Sequence, residues 1–249
     1  AIDGPALSAS FNNPPGVAFS GADVLVADYF NPLIRKISNG VVTTVGGRMP
    51  AVGLTDGVGS AARFNLPTSL AADADGAIYV LDRNNAAIRK MSGTTTTTFV
   101  SGSQLSLPRA MIASGTEGFV VAETNRLLNV SATGVITAMA GSVTPANVDG
   151  AALSARFKTI SALAMDAAGQ VLIAESGNCQ IRILATDGTV TTLAGKASTT
   201  SVDNCRFADG TGVTATFNNP TALAVGTTGE IYVADVGDNG NGVIRKIVP

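Results

Sequence analysis

The chain has 249 residues, of which 45% are hydrophobic and 14% charged, and its formal net charge is −2. This composition excludes intrinsic disorder, which needs low hydrophobicity and high net charge, and it argues against a nucleic-acid binder because 16 Lys and Arg are outnumbered by 18 Asp and Glu. The absence of His from the sequence also excludes His-dependent nucleophiles, His general bases and His-ligated zinc.

A short motif recurs along the chain and divides it into units. Phe-x-x-Pro begins at Phe11, Phe64 and Phe217, and weaker copies begin at Leu105 and Phe157. Each copy is followed by an apolar segment, a turn that contains Gly, and a second apolar segment that ends in an acidic residue. The acids are Asp28, Asp82, Glu123, Glu175 and Asp235. A recurring unit of this kind indicates a repeat architecture.

Short β-strands are predicted in every unit. The first strands are expected at 17–19, 70–72, 110–112, 163–165 and 223–225, and the second at 24–28, 78–82, 119–123, 171–175 and 231–235. The third strands are expected at 34–37, 88–91, 127–130, 181–184 and 244–247, and the fourth at 41–45, 95–100, 135–140 and 190–194. No helical period is present, so the chain is predicted to be all-β. The second strands are almost continuously apolar, which predicts burial on both faces.

The order of motifs resembles the NHL repeat. Asp-Gly and Phe-x-x-Pro are followed by Gly-x-Ile-Tyr-Val-Ala-Asp, Asn-x-x-Ile-Arg-Lys-Ile and Gly-x-Val-Thr-Thr-Leu-Ala-Gly, and five copies span essentially the whole chain. The resemblance implies an all-β, five-bladed β-propeller built from NHL-like repeats, as one domain. Its blades are expected at about 11–47, 64–102, 105–141, 157–195 and 217–249.

Two blades depart from the pattern. Blade 3 lacks the opening Asp-Gly and Phe, and Leu128 stands where Arg is expected. Blade 5 stops without its fourth strand. Either the ring closes with a three-stranded last blade, or the missing strand lies outside this sequence.

The acids that end the second strands allow two interpretations. They could form a ring of metal ligands or catalytic carboxylates, but four of them are followed by an Arg in the same unit, which favours bidentate pairs that fix strand 3 against strand 2 or a neighbouring blade. The expected structural ion pairs are Asp28 with Arg35, Asp82 with Arg89, Glu175 with Arg182, and Asp235 with Arg245. Glu123 has no Arg at the matching position. We expect no catalytic residue, metal ion or cofactor, and interpret the calcium-like sequence at 73–76 as a hairpin turn.

Binding is expected in the loops. In a propeller, the loops between strands 2 and 3 and the connections between blades emerge on one face, here 29–32, 48–63, 83–86, 142–156 and 196–213. The candidate binding residues are Tyr29, Phe30, Asn31, Arg83, Asn84, Thr124 and Asn125. Tyr29 and Phe30 are adjacent aromatic residues of the kind that anchors interfaces, although one ring could instead fold inward over its blade.

The sequence lacks the residues on which several known activities of NHL proteins and other five-bladed propellers depend. The amidating lyases of this family use metal-binding His, its RNA-binding members use a basic face, and sugar-binding five-bladed propellers stack ligands on Trp, whereas this chain lacks His, Trp and a basic excess. A non-catalytic protein-interaction or cell-adhesion module remains as the prediction, with another protein as its partner and without nucleic acid. The alternative is a calcium-assisted lactonase or other hydrolase that uses carboxylates such as Asp28, Glu123 and Glu175.

Three features bear on the cellular compartment. Cys179 and Cys205 fall in loops expected on the same face, so a disulfide is predicted, with two free buried thiols as the alternative. Asn129 begins an Asn-Val-Ser sequon and is a candidate for glycosylation. No apolar run approaches the roughly 18 residues of a membrane span, and we expect no direct insertion into a membrane. These features predict an extracellular or cell-surface location, which includes the ectodomain of a longer protein.

Overall fold

The chain forms five antiparallel sheets, and its fold is a five-bladed β-propeller, as predicted. A computed structural model describes residues 1–73, 75–115, 118–197, 205–237 and 242–248. Short 3-10 turns lie at Gly59–Ala61, Arg83–Asn85 and Gly212–Thr214. Among the described residues, no helix has the length and apolar character needed to cross a membrane.

Each sheet takes its strands from one sequence unit. Blade 1 contains β1 (Gly4–Pro5), β2 (Gly16–Ser20), β3 (Asp23–Asp28), β4 (Leu33–Ser38) and β5 (Val41–Gly47). Blade 2 contains β6 (Gly57–Val58), β7 (Pro67–Ala72), β8 (Ile78–Asp82), β9 (Ala87–Ser92) and β10 (Thr95–Ser101). Blade 3 contains β11 (Ala110–Ala113), β12 (Gly118–Ala122), β13 (Arg126–Ser131) and β14 (Ile136–Gly141).

The last two blades follow the same plan. Blade 4 contains β15 (Gly150–Ala151), β16 (Ile160–Met165), β17 (Val171–Glu175), β18 (Gln180–Leu184) and β19 (Thr189–Ala194). Blade 5 contains β20 (Pro220–Val225), β21 (Ile231–Val236) and β22 (Gly242–Ile247), and its sheet has three strands among the described residues. Every strand predicted from the sequence overlaps an observed strand.

Three additional strands were not predicted. β1, β6 and β15 each consist of two residues and pair with the outer edge of the fourth strand of their own blade, so the order in blade 1 is β1-β5-β4-β3-β2. Two residues are too few to show an alternating pattern in the sequence. In each of these blades the connection therefore lies along the outer edge of the sheet before it returns to the first strand.

The second strands of blades 2, 3 and 4 are enclosed, as predicted, whereas the prediction is wrong for β21 of blade 5. All residues of β8, β12 and β17 are buried, including Asp82 and Glu175 at the ends of β8 and β17. β21 in blade 5 alternates between buried and more exposed residues. One face of β21 is therefore more exposed than the second strands of blades 2, 3 and 4.

Contacts divide the chain into two compact units. One comprises Ala1–Phe119 and Val130–Ile136, and the other comprises Val120–Asn129 and Thr137–Pro249. In the first unit, Leu25 and Ile34 of blade 1 pack with Phe64 of blade 2. In the second unit, Leu172 and Ile181 of blade 4 pack with Phe217 of blade 5 in the same way. The Phe of the repeated motif thus fills the space between consecutive blades.

The Gly that ends the fourth strand makes room for this Phe. A Cβ atom added at Gly141 would lie 2.6 Å from the ring of Phe157, and one at Gly195 would lie 3.0 Å from the ring of Phe217. Such distances leave no space for a side chain, and both residues have a positive φ, of 78° and 100°, so Gly is required at these two positions.

Candidate functional site

A buried ion pair joins strands 2 and 3 of blade 1. Arg35 Nη1 donates to Asp28 Oδ2 at 3.0 Å, and neither side chain is exposed to solvent. Asp28 also accepts hydrogen bonds from the backbone N–H of Asn12 at 2.7 Å and from the Asn31 amide at 2.9 Å. The acid therefore fixes both the start of the first strand and the loop that follows the second.

The same pair occurs in three other blades. Arg89 lies 3.0 Å from Asp82, Arg182 lies 2.8 Å from Glu175, and Arg245 lies 3.5 Å from Asp235. The four expected ion pairs are thus present, but they differ from the expected geometry. Only one guanidinium nitrogen, Nη1, contacts the strand acid, because Nη2 binds a different carboxylate.

A second carboxylate binds Nη2 of each Arg. Asp3 accepts from both Nε and Nη2 of Arg35, at 3.0 and 2.6 Å. The matching residues in the other blades are Asp56, Asp149 and Asp209, which pair with Arg89, Arg182 and Arg245. These are the Asp residues of the repeated Asp-Gly. Each Arg therefore links the connection that enters its blade to the second strand of that blade.

Each of these Arg side chains also contacts the ring and backbone of the entering connection. Arg35 donates to the carbonyls of Ile2 and Ser10, at 2.8 and 3.1 Å. Its guanidinium carbon lies 5.1 Å from the centre of the Phe11 ring, a cation–π distance. Equivalent contacts join Arg89 with Phe64, Arg182 with Phe157, and Arg245 with Phe217.

Blade 3 lacks this network of contacts and has a different ion pair in its place. It lacks the opening Asp, the Phe and the Arg together, and Leu128 is buried at the position of the Arg. Glu123, which has no Arg at the matching position, pairs instead with Arg126 three residues later. In blades 1, 2 and 4 an Asn occupies the position three residues after the acid and donates to it. An Arg at that position therefore compensates locally for the missing one.

Burial shifts the pKa of two strand acids, Asp82 and Glu175. It raises the pKa of the Asp82 carboxyl to about 6, against the opposing effect of hydrogen bonds from Asn65, Asn85 and Arg89. Burial likewise raises the pKa of Glu175. The pKa of Asp56 is lowered, because hydrogen bonds from Thr98 and Arg89 outweigh the effect of its partial burial.

The three carboxylates that were considered for catalysis all take part in these contacts. Asp28 and Glu175 are fully buried, Glu123 is nearly so, and each is bonded to an Arg. Among the described residues, no three Asp, Glu or Cys side chains are grouped in a way that could hold a metal ion. The geometry of these acids is that of structural cross-links.

A different arrangement occupies the loops after β3 and β8 in the first compact unit. The rings of Tyr29 and Phe30 meet edge to face with centres 4.8 Å apart, and Phe30 is 55% exposed. Arg83 Nη1 donates to the Tyr29 hydroxyl at 3.0 Å. We call Tyr29, Phe30, Arg83, Asn84 and Arg109 the aromatic–arginine surface.

The two arginines give this surface a positive character. Burial lowers the pKa of Arg109, and the neighbouring positive charge of Arg83 lowers it further. That effect requires the two guanidinium groups to lie near each other. A carboxylate that approaches the surface would reduce their repulsion.

The other candidate binding residues have different environments. Asn84 is exposed, and its backbone N–H donates to the Asn65 carbonyl at 3.0 Å. Asn31, which was expected on the binding surface, is buried because its amide is bound to Asp28. In the second unit, Asn125 donates to the Val143 carbonyl and accepts from the Thr159 N–H, so both ends of its amide hold loops in place. The Thr124 carbonyl accepts from the Ile160 N–H at 2.8 Å.

The cysteines and the sequon also lie in the second compact unit. Cys179 and Cys205 form a disulfide with Cα atoms 5.9 Å apart, which links the loop after β17 to the connection that enters blade 5. Asn129 lies in β13 and is partly exposed. Its glycosylation stays a prediction.

Two family models match parts of the sequence. The model of the teneurin NHL domain matches residues 147–248, and the NHL repeat model matches residues 64–91. A search of curated proteins found no match.

Several solved structures are similar to the whole chain. An auxiliary nutrient binding protein from Bacteroides ovatus is 19% identical, with a TM-score of 0.65 over 100% of this chain and 72% of that chain. Virginiamycin B lyase from Staphylococcus aureus is 12% identical, with a TM-score of 0.59 over 100% and 74%. A chain of a nidogen/laminin complex is 16% identical, with a TM-score of 0.64 over 96% and 81%. At these identities the similarity shows the fold alone.

Proposed function

Because this chain is an NHL-repeat β-propeller, we propose that it is a non-catalytic, extracellular module that binds a protein partner through its aromatic–arginine surface. The observation that carries the proposal is the contact of Tyr29 with both Phe30 and Arg83. Tyr and Arg are enriched among the few residues that dominate binding energy at protein interfaces, and an exposed aromatic ring adds a large apolar contact.

The surface is organised before a partner arrives. Asn31 ties the loop of Tyr29 and Phe30 to the buried Asp28, and the Phe30 N–H donates to the Asn12 carbonyl at 3.2 Å. The loop of Arg83 is a 3-10 turn whose Asn85 amide donates to Asp82 at 2.7 Å. Because these loops are fixed to buried strand acids, little side-chain and backbone freedom is lost on binding.

The chemistry of the surface favours an acidic partner. An exposed aromatic ring beside two guanidinium groups matches an apolar side chain flanked by Asp or Glu. The nidogen/laminin complex is a protein–protein assembly, and the similarity to one of its chains supports a protein partner. A cell-adhesion role would follow if that partner belongs to another cell surface.

The disulfide supports an extracellular location. Disulfides persist in oxidising compartments and are rare in the cytosol. The Cys179–Cys205 bond closes a loop of 26 residues at the longest connection in the chain. Attachment of a glycan to Asn129 in the native source would be independent support.

The rival proposal of a hydrolase has weaker support. Virginiamycin B lyase shares the fold, but Asp28, Glu123 and Glu175 are each enclosed and paired with an Arg. A catalytic calcium site would raise the melting temperature when calcium is added, since a ligand that binds only the native state stabilises it. We expect no rise with calcium, magnesium or zinc, and a rise would support the hydrolase.

Site-specific photo-crosslinking tests the proposal. A photoreactive phenylalanine is placed at position 30, or at the control position 41, which is also exposed but lies at the turn between β4 and β5. After exposure to surface proteins of the native source, we expect a protein adduct from position 30 and none from position 41. An adduct from position 41 alone, or from neither position, contradicts the proposal.

A further inference from the structure

The connection that enters blade 2 carries an exposed apolar segment. Residues 49–54 are Met-Pro-Ala-Val-Gly-Leu, and the side chains of Met49, Val52 and Leu54 belong to residues that are 44%, 56% and 43% exposed. Single exposed apolar residues are common on protein surfaces, whereas a group of them is characteristic of an interaction site. We call residues 49–54 the apolar strip.

The apolar strip runs between the two loops that form the aromatic–arginine surface. Gly47, two residues before the strip, lies against the loop after β3, because a Cβ atom added to it would be 2.5 Å from the Pro32 carbonyl oxygen. Near the other end of the strip, the Gly53 carbonyl accepts from the Asn85 amide at 2.6 Å, in the loop after β8. The strip and the aromatic–arginine surface therefore form one continuous surface within the first compact unit.

The fold does not require an apolar residue at position 54. The connection that enters blade 4 has the same course, since its Ala146 carbonyl accepts from an Asn amide at 3.2 Å as the Gly53 carbonyl does. Leu54 therefore corresponds to Asn147, which is exposed and accepts from Arg182 Nη1 at 3.2 Å. Because a polar residue serves at this position in blade 4, packing within the chain does not explain the exposed Leu.

The charges beside the strip are positive. Arg48 directly precedes the strip and is exposed, and Arg83 lies in the adjoining loop. The sequence contains no Asp or Glu in 29–55 or in 83–116, although the whole chain has a net charge of −2. A surface that is both apolar and positive favours a partner that is apolar and acidic and disfavours a basic one.

We propose that the apolar strip and the aromatic–arginine surface together bind one acidic, amphipathic segment of the partner protein. Arg83 pairs with an Asp or Glu of that segment, and two apolar side chains of the segment pack on Phe30 and on the strip. This inference rests on the proposed function and adds to it a second apolar contact and a defined partner chemistry. A few anchors of this kind supply most of the binding energy at protein interfaces.

Selection from a displayed peptide library tests the inference with a defined probe. The library contains random sequences of about 12 residues, which span about 40 Å when extended. Peptides are selected on the whole wild-type chain, and a synthetic copy of the most enriched peptide is titrated by fluorescence polarisation. We expect the enriched peptides to combine Asp or Glu with large apolar residues. Enrichment of basic peptides, of peptides without Asp or Glu, or of none would overturn the inference.

Variants of the strip locate the bound peptide. Leu54→Asn, which copies the residue of blade 4, should weaken peptide binding about tenfold or more, and Val52→Ser should also weaken it. Val41→Asn is the matched control and should leave binding unchanged, since Val41 is 44% exposed, as Leu54 is 43% exposed, but lies at the turn between β4 and β5. All three residues are exposed, so each variant should melt within a few degrees of wild type.

Phe30→Ala separates this inference from the proposed function. The inference requires that Leu54→Asn and Phe30→Ala both weaken peptide binding. A loss with Phe30→Ala alone would overturn the inference and leave the proposed function standing, because the strip would then take no part in binding. A loss with Leu54→Asn alone would overturn the joint surface, and no loss with either variant would count against both proposals.

Sedimentation distinguishes the other possible occupants of the strip. It is measured for the chain alone and for the chain mixed with vesicles of phosphatidylcholine and phosphatidylserine. We expect a monomer that does not bind the vesicles. A dimer that Leu54→Asn dissociates would show that a second copy covers the strip, and vesicle binding that Leu54→Asn abolishes would show that a lipid surface does. Either result would overturn the inference.

Discussion

Arg89 and Asp82 form an ion pair of 3.0 Å in which both side chains are fully buried. Arg89 also contacts Asp56, the ring of Phe64 and two backbone carbonyls. The same contacts occur in four blades, so in each of these blades one buried Arg holds the entering connection against the second strand.

The first prediction concerns the loss of this Arg. Arg89→Ala should reduce the free energy of unfolding by about 3–5 kcal/mol, since it leaves a buried carboxylate unpaired. Urea denaturation measures the change. Arg48→Ala, at an exposed position, serves as the control and should change stability by less than about 0.5 kcal/mol. A loss below about 1 kcal/mol for Arg89→Ala would show that the pair contributes little.

The second prediction compares two Asp-Gly carboxylates. Asp56→Asn should cost about 1–3 kcal/mol of stability, because Asp56 accepts from Thr98 as well as from Arg89. Asp209→Asn should cost clearly less, since that side chain is fully exposed and bonded to Arg245 alone among the described residues. If the two variants lose the same free energy of unfolding in denaturation experiments, the hydrogen bonds from Thr98 to Asp56 do not contribute to stability as predicted.

The third prediction concerns pH. The folded pKa of Asp82, about 6, lies above its ordinary value of 3.8, so the native state holds this proton more tightly than the unfolded state does. The contribution of this carboxyl to stability is therefore full below about pH 4 and declines as the pH rises to about 6, by at most about 1.4 kcal/mol per pH unit.

Comparison with Asp82→Asn isolates that effect. The stability of wild type relative to the variant should fall between pH 4 and pH 6, as measured by denaturation at each pH. A carbon-13 titration of the Asp82 carboxyl gives the pKa directly. A midpoint below 3.8, or a relative stability that rises with pH, would contradict the assignment.

The fourth prediction concerns the disulfide. The double variant Cys179→Ser, Cys205→Ser should lose about 3.5 kcal/mol, the loop-closure value for the 26 residues between the cysteines. Wild type in reductant should show the same loss. If reductant leaves the unfolding midpoint unchanged, the disulfide does not stabilise the native state.

The strands could be predicted from the sequence because their patterns are local. The apolar segments and the turn residues between them predicted β2 and β8, and an acid with an Arg seven residues later predicted the pair of Asp28 with Arg35. The pairing of Asp3 with Arg35 was not predicted, because an Asp-Gly sequence is also typical of a turn. The sequence does contain a pattern that indicates it, since the Asp of Asp-Gly precedes the Arg by 32 to 36 residues in four blades.

Two other features illustrate the limits of sequence patterns. Asn31 resembles a surface loop residue, and only the recurrence of Asn three residues after the acids indicates its burial. The contact of Arg83 with Tyr29 joins residues 54 positions apart in loops of different blades. No spacing repeated elsewhere in the chain predicts that contact, so the aromatic–arginine surface required the three-dimensional structure.

The affinity of the crosslinked partner for single-residue variants tests the proposed function most directly. Phe30→Ala and Arg83→Ala should each weaken binding by at least about 30-fold, the effect of a dominant interface residue, while the melting temperature stays within a few degrees of wild type. Asp75→Asn, at an exposed position in the turn between β7 and β8, should bind as wild type does. Unchanged affinity in both surface variants would show that the partner binds elsewhere and would contradict the proposal.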